Sequence, residues 1–307
     1  MISILLAKKI AQLFLIMFIG YFAVKINILR SEDSAGLSKL CLYVIVPCVI
    51  LTSFQVEFTP EVRGGLILSM AAGAVIMPVL IFIGYISKRL FNLNPMEQAS
   101  VVYSNSGNLI IPLVASILGP EWVIYSTGFS TVQIIFLWTH CYGLFTGDGL
   151  KQIKKILCNI NVITILIGLF MLISGIHLPS IINEPLGSVG NMVGPAAMLI
   201  NGMLMAKLNF KEVFLSARIY LVLALRMIIG PAAALFILRL CPSGFLTPDS
   251  QQVLMISLLA AAAPVASTVT QFAQLYNQQP EKSSAINVLT TLSCVITMPL
   301  FVYLYML

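Results

Sequence analysis

Few side chains inside the apolar stretches of this chain can do chemistry, so those few set the reading. Arg226 is the one charged residue deep in such a stretch, eight positions past Arg218 and so about 12 Å deeper at helical rise. An arginine there must face protein or water. It can pair with a carboxylate and raise the potential of a cavity, or it can bind carbonyls freed by a broken helix. The neutral donors are Asn105, Asn108, Gln133, Asn201, Ser267, Thr268, Thr270 and Gln271. Each can hydrogen-bond an anionic ligand, and each can equally tie helices together. All eleven Asp and Glu residues fall in connections or at helix ends, which disfavours ion coupling through a buried carboxylate. Sodium held by carbonyls and hydroxyls stays open. The two histidines, His140 and His177, have no metal-ligand company. His140 reads as an interfacial histidine ahead of a proton carrier. No nucleophile sits with a general base and no metal-ligand cluster stands out. The expectation is no enzyme, no catalytic residue, no metal and no cofactor.

The elements that must position these residues are membrane spans. The 307 residues are 59% hydrophobic and 9% charged, against about 25% charged in a soluble domain. The partners expected are therefore lipids and a small molecule, not nucleic acid. Ten apolar segments can be placed, at roughly 3–24, 36–54, 64–87, 97–118, 121–144, 159–176, 186–206, 214–238, 250–274 and 283–306. The fold class expected is an all-α membrane protein. No cleavable signal peptide is read at the start. The cysteines (41, 48, 141, 158, 241, 294) read as small buried hydrophobes. Twelve of the seventeen Lys and Arg residues fall at the ends of the odd-numbered segments, against Lys8, Lys9, Arg63 and Arg239 on the other side. The basic side is cytoplasmic by the positive-inside rule. A cell (inner) membrane protein with both termini outside follows, and a cysteine at Lys154 should resist impermeant reagents from outside.

The fourth segment is wrong for a simple span. Ser104-Asn105-Ser106-Gly107-Asn108 is polar and flexible, and Pro112 removes a backbone donor. In hydrocarbon, freed backbone groups must be met by protein or by a watery cavity. The segment is therefore expected to be a broken helix with its interruption at Pro112. The halves repeat: Pro47, Pro78, Pro95 and Pro112 recur as Pro195, Pro231, Pro248 and Pro264, at offsets of 148 to 153 residues. Asn94-Pro95-Met96-Glu97 has the form of a helix start, and Thr247-Pro248-Asp249 begins the ninth segment similarly. Five spans is an odd number, so the second half is inverted. The domains expected are a first five-helix repeat (1–145), a cytoplasmic linker (146–158) and a second, inverted repeat (159–307). Pro264 interrupts segment 9 as Pro112 interrupts segment 4. Two half-helix N-termini meeting at mid-membrane suit an anion. The two tryptophans, Trp122 and Trp138, and the pair Tyr276-Asn277 read as interface anchors.

Several of these motifs resemble the auxin efflux carrier family in its short bacterial form. Asn105-Ser106-Gly107 with Pro112 is similar to the family's fourth-helix signature, with Ile110 in place of its second glycine. Leu42–Pro47, Val132-Gln133, Ala224-Leu225-Arg226 with Gly230-Pro231, Pro264 with Phe272-Ala273 and Tyr276-Asn277, and Pro299 are similar to its other helices. The resemblance implies ten helices in two inverted repeats. It also implies a scaffold of helices 1, 2, 6 and 7 and a moving domain of helices 3–5 and 8–10, crossing at Pro112 and Pro264. A homodimer, elevator-type alternating access and carboxylate substrates such as malonate or auxin-like acids are implied with it.

The expected function is efflux or exchange of small organic anions. The expected substrate-binding residues are Asn105, Gly107, Asn108, Pro112, Gln133, Asn201, Arg226, Pro264, Ser267 and Thr268, in a site between the crossover and helices 5, 7 and 8. Two alternatives stand beside it: sodium-coupled uptake of an organic or bile-acid-like anion, and a membrane sensor that uses the fold without flux.

Overall fold

In a computed structural model, the residues described are 2–55, 57, 59–111, 113–114, 118–119, 122–147, 160–206, 216–242 and 244–307. Pro112 and most of the mid-chain linker, with Lys151, Lys154 and Lys155, lie outside them. The described residues are all-helical, with one isolated β-bridge. Helix α1 is Ile2–Lys25, α2 covers 34–53, α3 is Pro60–Phe91 and α4 is Pro95–Val102. Helix α5 begins with the π-turn Ser106–Ile110, and α6 covers 123–146. Then come α7 (Ile160–Ser174), α8 (Ser180–Gly190), α9 (Val193–Met205) and α10 (217–239). The chain closes with α11 (Ser250–Ala262), α12 (Ser267–Leu275) and α13 (Pro280–Met306). Among the described residues, four helical stretches are long and apolar enough to cross a membrane: Ser31–Thr52, Pro60–Phe91, Ala217–Arg239 and Pro280–Met306. The seventh segment differs from expectation. It starts earlier and is two helices, parted by a turn at Asn191 and Met192.

Local chemistry explains where several elements start and bend. Asn94 and Glu97 form the expected reciprocal cap of α4: Glu97 N–H donates to Asn94 Oδ1 at 2.8 Å and Asn94 N–H to Glu97 Oε2 at 3.0 Å. The ninth segment starts at Ser250, within its expected bounds, but without the expected Thr247-Pro248-Asp249 cap. Thr247 and Pro248 stay in a turn, and the Ser250 hydroxyl accepts from Gly244 N–H at 2.7 Å. Three of the four π-turns among the described residues, Cys41–Ile45, Ser106–Ile110 and Leu225–Ile229, each end two residues before a proline: Pro47, Pro112 and Pro231. A proline supplies no N–H to the carbonyl four residues back and its ring crowds that carbonyl. A local widening of the helix relieves both.

Helix α9 lies along α1, and the C-terminal half of α2 packs on α7 and α8. Helices α3, α6 and α11 pack together, and α13 runs against α9, α11 and α12. The approach of α1 to α9 depends on small residues. A Cβ built on Gly202 would sit 1.9 Å from the Met17 carbonyl oxygen, and one on Gly20 2.4 Å from that of Leu199. Gly202→Ala must therefore push α1 away, at about 1–3 kcal/mol. Gly187, with nothing within 4 Å of its would-be Cβ, is the control. Thermal midpoints in detergent should fall for Gly202→Ala and hold or rise for Gly187→Ala.

The crossover and its cavity

The fourth segment breaks at Tyr103–Asn105, seven or more residues before Pro112, and the chain crosses the ninth segment there. Helix α4 stops at Val102; Tyr103 is extended, with φ −98° and ψ 125°. In the ninth segment α11 stops at Ala262, and Ala263 and Ala266 are extended on either side of Pro264. The two extended pieces pair as a short antiparallel bridge between Ser104 and Val265. Asn105 N–H donates to the Pro264 carbonyl at 2.8 Å, and Ala266 N–H to the Tyr103 carbonyl at 3.0 Å. Pro264 thus interrupts its helix as expected, while Pro112 does not mark the crossing. Low helix propensity and side chains that compete for backbone partners place the break in the Ser-Asn-Ser run instead.

The remaining freed backbone groups are met by side chains, as burial requires. Gln133 Nε2 donates to the Ser104 carbonyl at 2.7 Å and to Ser106 Oγ at 3.1 Å, and its Oε1 accepts from Ser104 Oγ at 2.6 Å. Asn287 Nδ2 donates to the Val265 carbonyl at 2.8 Å, and Thr290 Oγ1 accepts Val265 N–H at 3.2 Å. Arg226 is fully buried and gives its donors to four carbonyls. Nη1 reaches Val101 and Val102 at 3.3 and 3.1 Å, Nε and Nη2 reach Ala263 at 3.2 and 2.9 Å, and Nη2 also reaches Ala261. These are the C-terminal carbonyls of α4 and α11, where two helix dipoles leave negative ends. Of the two roles open to Arg226, the structure places it in carbonyl capping.

With both C-terminal ends held by Arg226, the N-terminal ends of α5 and α12 remain beside a cavity of about 90 Å³. Its polar wall comes from Ser104, Asn105, Ser106 and Gly107 at the break, Thr127, Ser130, Thr131 and Gln133 on α6, and Thr268 on α12. The facing wall is apolar: Val46, Val49 and Ile50 of α2 and Val193 of α9. No acidic or basic side chain is among the described lining residues.

Of the expected binding residues, Asn105, Gly107, Gln133 and Thr268 line this cavity. Gln133 does so with both amide ends already engaged, so it positions the wall. Asn105 Nδ2 lies 3.4 Å from Ser267 Oγ, which sits behind the lining. Pro264 contributes a carbonyl to the bridge. Arg226 and Asn201 are not lining residues: Asn201 Nδ2 donates to Asn287 Oδ1 at 3.0 Å, joining α9 to α13. The Asn108 side chain lies outside the described residues, as does Pro112. Helices α2, α6 and α9 bound the site, so helix 2 takes the place expected of helix 8. Trp138 is a further correction, since it is buried and packs edge-on against Phe272 at 5.1 Å. Sequence reasoning missed Ser104, Ser106, Thr127, Ser130, Thr131 and Asn287. The signal for three of them was present: Thr127, Ser130 and Thr131 share one face of a helix by i, i+3, i+4 spacing.

A broken-helix crossover at a polar cavity inside an apolar helical protein is an arrangement found at the binding sites of membrane transport proteins. The chain matches the family described as membrane transport protein over residues 5–154 and 149–302, nearly its whole length. It belongs to that family, the auxin efflux carrier-like one its motifs resemble. No curated protein gave a match to the chain.

Proposed function

We propose that the chain carries small organic carboxylates across the membrane by alternating access at the crossover cavity, in efflux or exchange. The observation that carries this reading is the electrostatics of the cavity. Two helix N-termini, each equivalent to about half a positive charge, end beside hydroxyl and amide donors, and among the described residues no carboxylate lines the space. Such a site favours an anion over a cation. The contrast of the walls supports an elevator movement. Every polar lining residue lies on α4–α6 or α12, and α2 and α9 offer only aliphatic carbon. A substrate held by the polar wall can slide past the apolar one without breaking hydrogen bonds. Lys88 and Arg89 at the end of α3 lie at the same end of the bundle as Arg218 and Lys282, which agrees with a single basic, cytoplasmic face.

Size narrows the substrate class. At about 90 Å³ the cavity is small, which favours a short dicarboxylate such as malonate over a bulkier aromatic acid. In proteoliposomes loaded with malonate, labelled malonate should exchange saturably, with short carboxylates competing and aromatic acids not. Asn105→Ala should cut exchange by about tenfold or more, the loss of one hydrogen bond to a charged group. Its thermal midpoint should stay near that of the parent. Folded protein that exchanges no carboxylate at all would favour the sensor reading instead.

A further inference from the structure

What travels with the anion can be argued from a contact beside the cavity, on the premise that the transport reading above holds. His140 lies in the π-turn Leu137–Cys141 of α6, three residues past Leu137, which lines the cavity. Its Nδ1 is 2.9 Å from Tyr103 Oη, and that hydroxyl is also 2.9 Å from the Phe136 carbonyl, to which it donates. A phenol carries one proton. With that proton on the carbonyl, Oη can only accept, so Nδ1–H of His140 donates to it. The neutral imidazole is then the Nδ1–H tautomer, with Nε2 left as its basic atom. A proton added at Nε2 makes the imidazolium and breaks neither bond.

Tyr103 links this ring to the transport site. Its carbonyl accepts Ala266 N–H in the crossover, and its neighbour Ser104 lines the cavity. The charge gained by His140 therefore appears at the far end of the Tyr103 side chain, whose backbone adjoins the polar wall. Tyr103 faces the ring from α4's end, and Cys141 and Tyr142 flank it on α6. Tyr43 of α2 and Tyr276 at the end of α12 stand one ring further away, against Trp138 and Tyr142. The nearest charged groups along α4 are already engaged: Arg226 on the Val101 and Val102 carbonyls, and Glu97 with Arg218 and Lys282. Among the described residues this leaves His140 as the imidazole beside the crossover.

We propose that His140, held by Tyr103, is the proton-binding site that couples proton movement to anion movement. One N–H bond forms at Nε2 when the anion loads and breaks when it leaves, with water as source and sink of the proton. The imidazolium attracts the anion, and the anion favours the imidazolium, so the two bind with positive cooperativity. The carried charge also drops by one unit, so the membrane potential acts less on the anion's movement. An acid made inside the cell then leaves together with a proton.

The test uses the full chain in liposomes that contain a pH-sensitive dye, with malonate as the probe. About one proton should move with each malonate, and a tenfold proton gradient should speed malonate entry several-fold. His140→Gln cannot titrate. It should exchange malonate with a several-fold weaker apparent affinity, and lose both proton movement and acceleration. A second measurement needs no variant: in ¹⁵N-histidine protein, saturating malonate should raise the titration midpoint of His140 and leave that of His177 alone. Malonate movement without protons in the parent, undiminished proton movement in His140→Gln, or a midpoint indifferent to malonate each overturns the proposal. Absence of malonate movement at every pH overturns the transport reading beneath it.

Discussion

Arg226→Ala should leave too little folded protein to assay, whereas Arg226→Lys should fold with a lower thermal midpoint and bind malonate as the parent does. The guanidinium reaches the Val101, Val102, Ala261 and Ala263 carbonyls in a fully buried position. Truncation leaves four buried acceptors unmet, at about 1–3 kcal/mol each. The sum is of the same order as the whole stability of a domain, about 5–15 kcal/mol. It also removes the charge on which the negative ends of α4 and α11 converge. Lysine restores the charge with three donors on one nitrogen in place of a planar fork of five, so at most part of the set is satisfied. The measurement is yield and melting in detergent for both variants, with malonate titrated calorimetrically into Arg226→Lys. Loss of malonate binding in a folded lysine variant would return the cation to the binding site.

Much of the architecture was readable because the bilayer forbids unpaired backbone groups. Once Ser104–Asn108 and Pro264 were seen inside apolar segments, a break with polar company had to follow. What was not readable was which residue crosses which. Pro112 is conspicuous in the sequence, but among the described residues the chain leaves its helix upstream, at Tyr103–Asn105, and re-enters it through the π-turn Ser106–Ile110. A proline's effect on its own helix is local and predictable; the pairing of Ser104 with Val265 depends on three-dimensional register. Arg226 illustrates the same limit. Its depth is a property of the sequence, but the choice between a substrate carboxylate and four carbonyls depends on where α4 and α11 end. Gln133 and Asn201 failed as direct donors for a related reason: each has a protein partner fixed by packing between distant helices.

The two kinds of helix end around the crossover divide the electrostatic labour. A cation fixed by the protein neutralises the C-terminal ends, and the N-terminal ends are left facing the cavity. A substrate carboxylate bound at Arg226 would have to displace backbone carbonyls, and the crossover would lose its own support each time the site filled. Placing the arginine behind the crossover avoids that conflict. The cavity can empty and fill while the crossed chains stay paired.

Glu97→Ala should be the second costly substitution, by about 3 kcal/mol, and its effect should be relieved by removing a cation. The Glu97 carboxylate is buried, 1% exposed at its side chain. It accepts from Arg218 Nε and Nη2 at 2.9–3.1 Å, from Lys282 Nζ at 2.8 Å and from Asn94 N–H at 3.0 Å. Arg218 Nη1 also donates to the Phe91 carbonyl at 2.7 Å, and Asn94 Nδ2 to Gln279 Oε1 at 3.3 Å. One carboxylate thus joins the end of α3 to the starts of α4, α10 and α13. Breaking a buried pair costs about 3–5 kcal/mol. Here the cations are 36% and 30% exposed and can turn toward water, which puts the expected loss at the lower end. Lys282→Met alone should cost less, since the carboxylate keeps Arg218. The double variant Glu97→Ala with Lys282→Met should then lose less than the two single changes summed, because the second change removes a charge the first left unpaired. Thermal or denaturant midpoints of the four proteins close the cycle. Strict additivity would mean that the carboxylate and the ammonium do not interact, and that the helix ends are held by packing and the Arg218–carbonyl bonds alone.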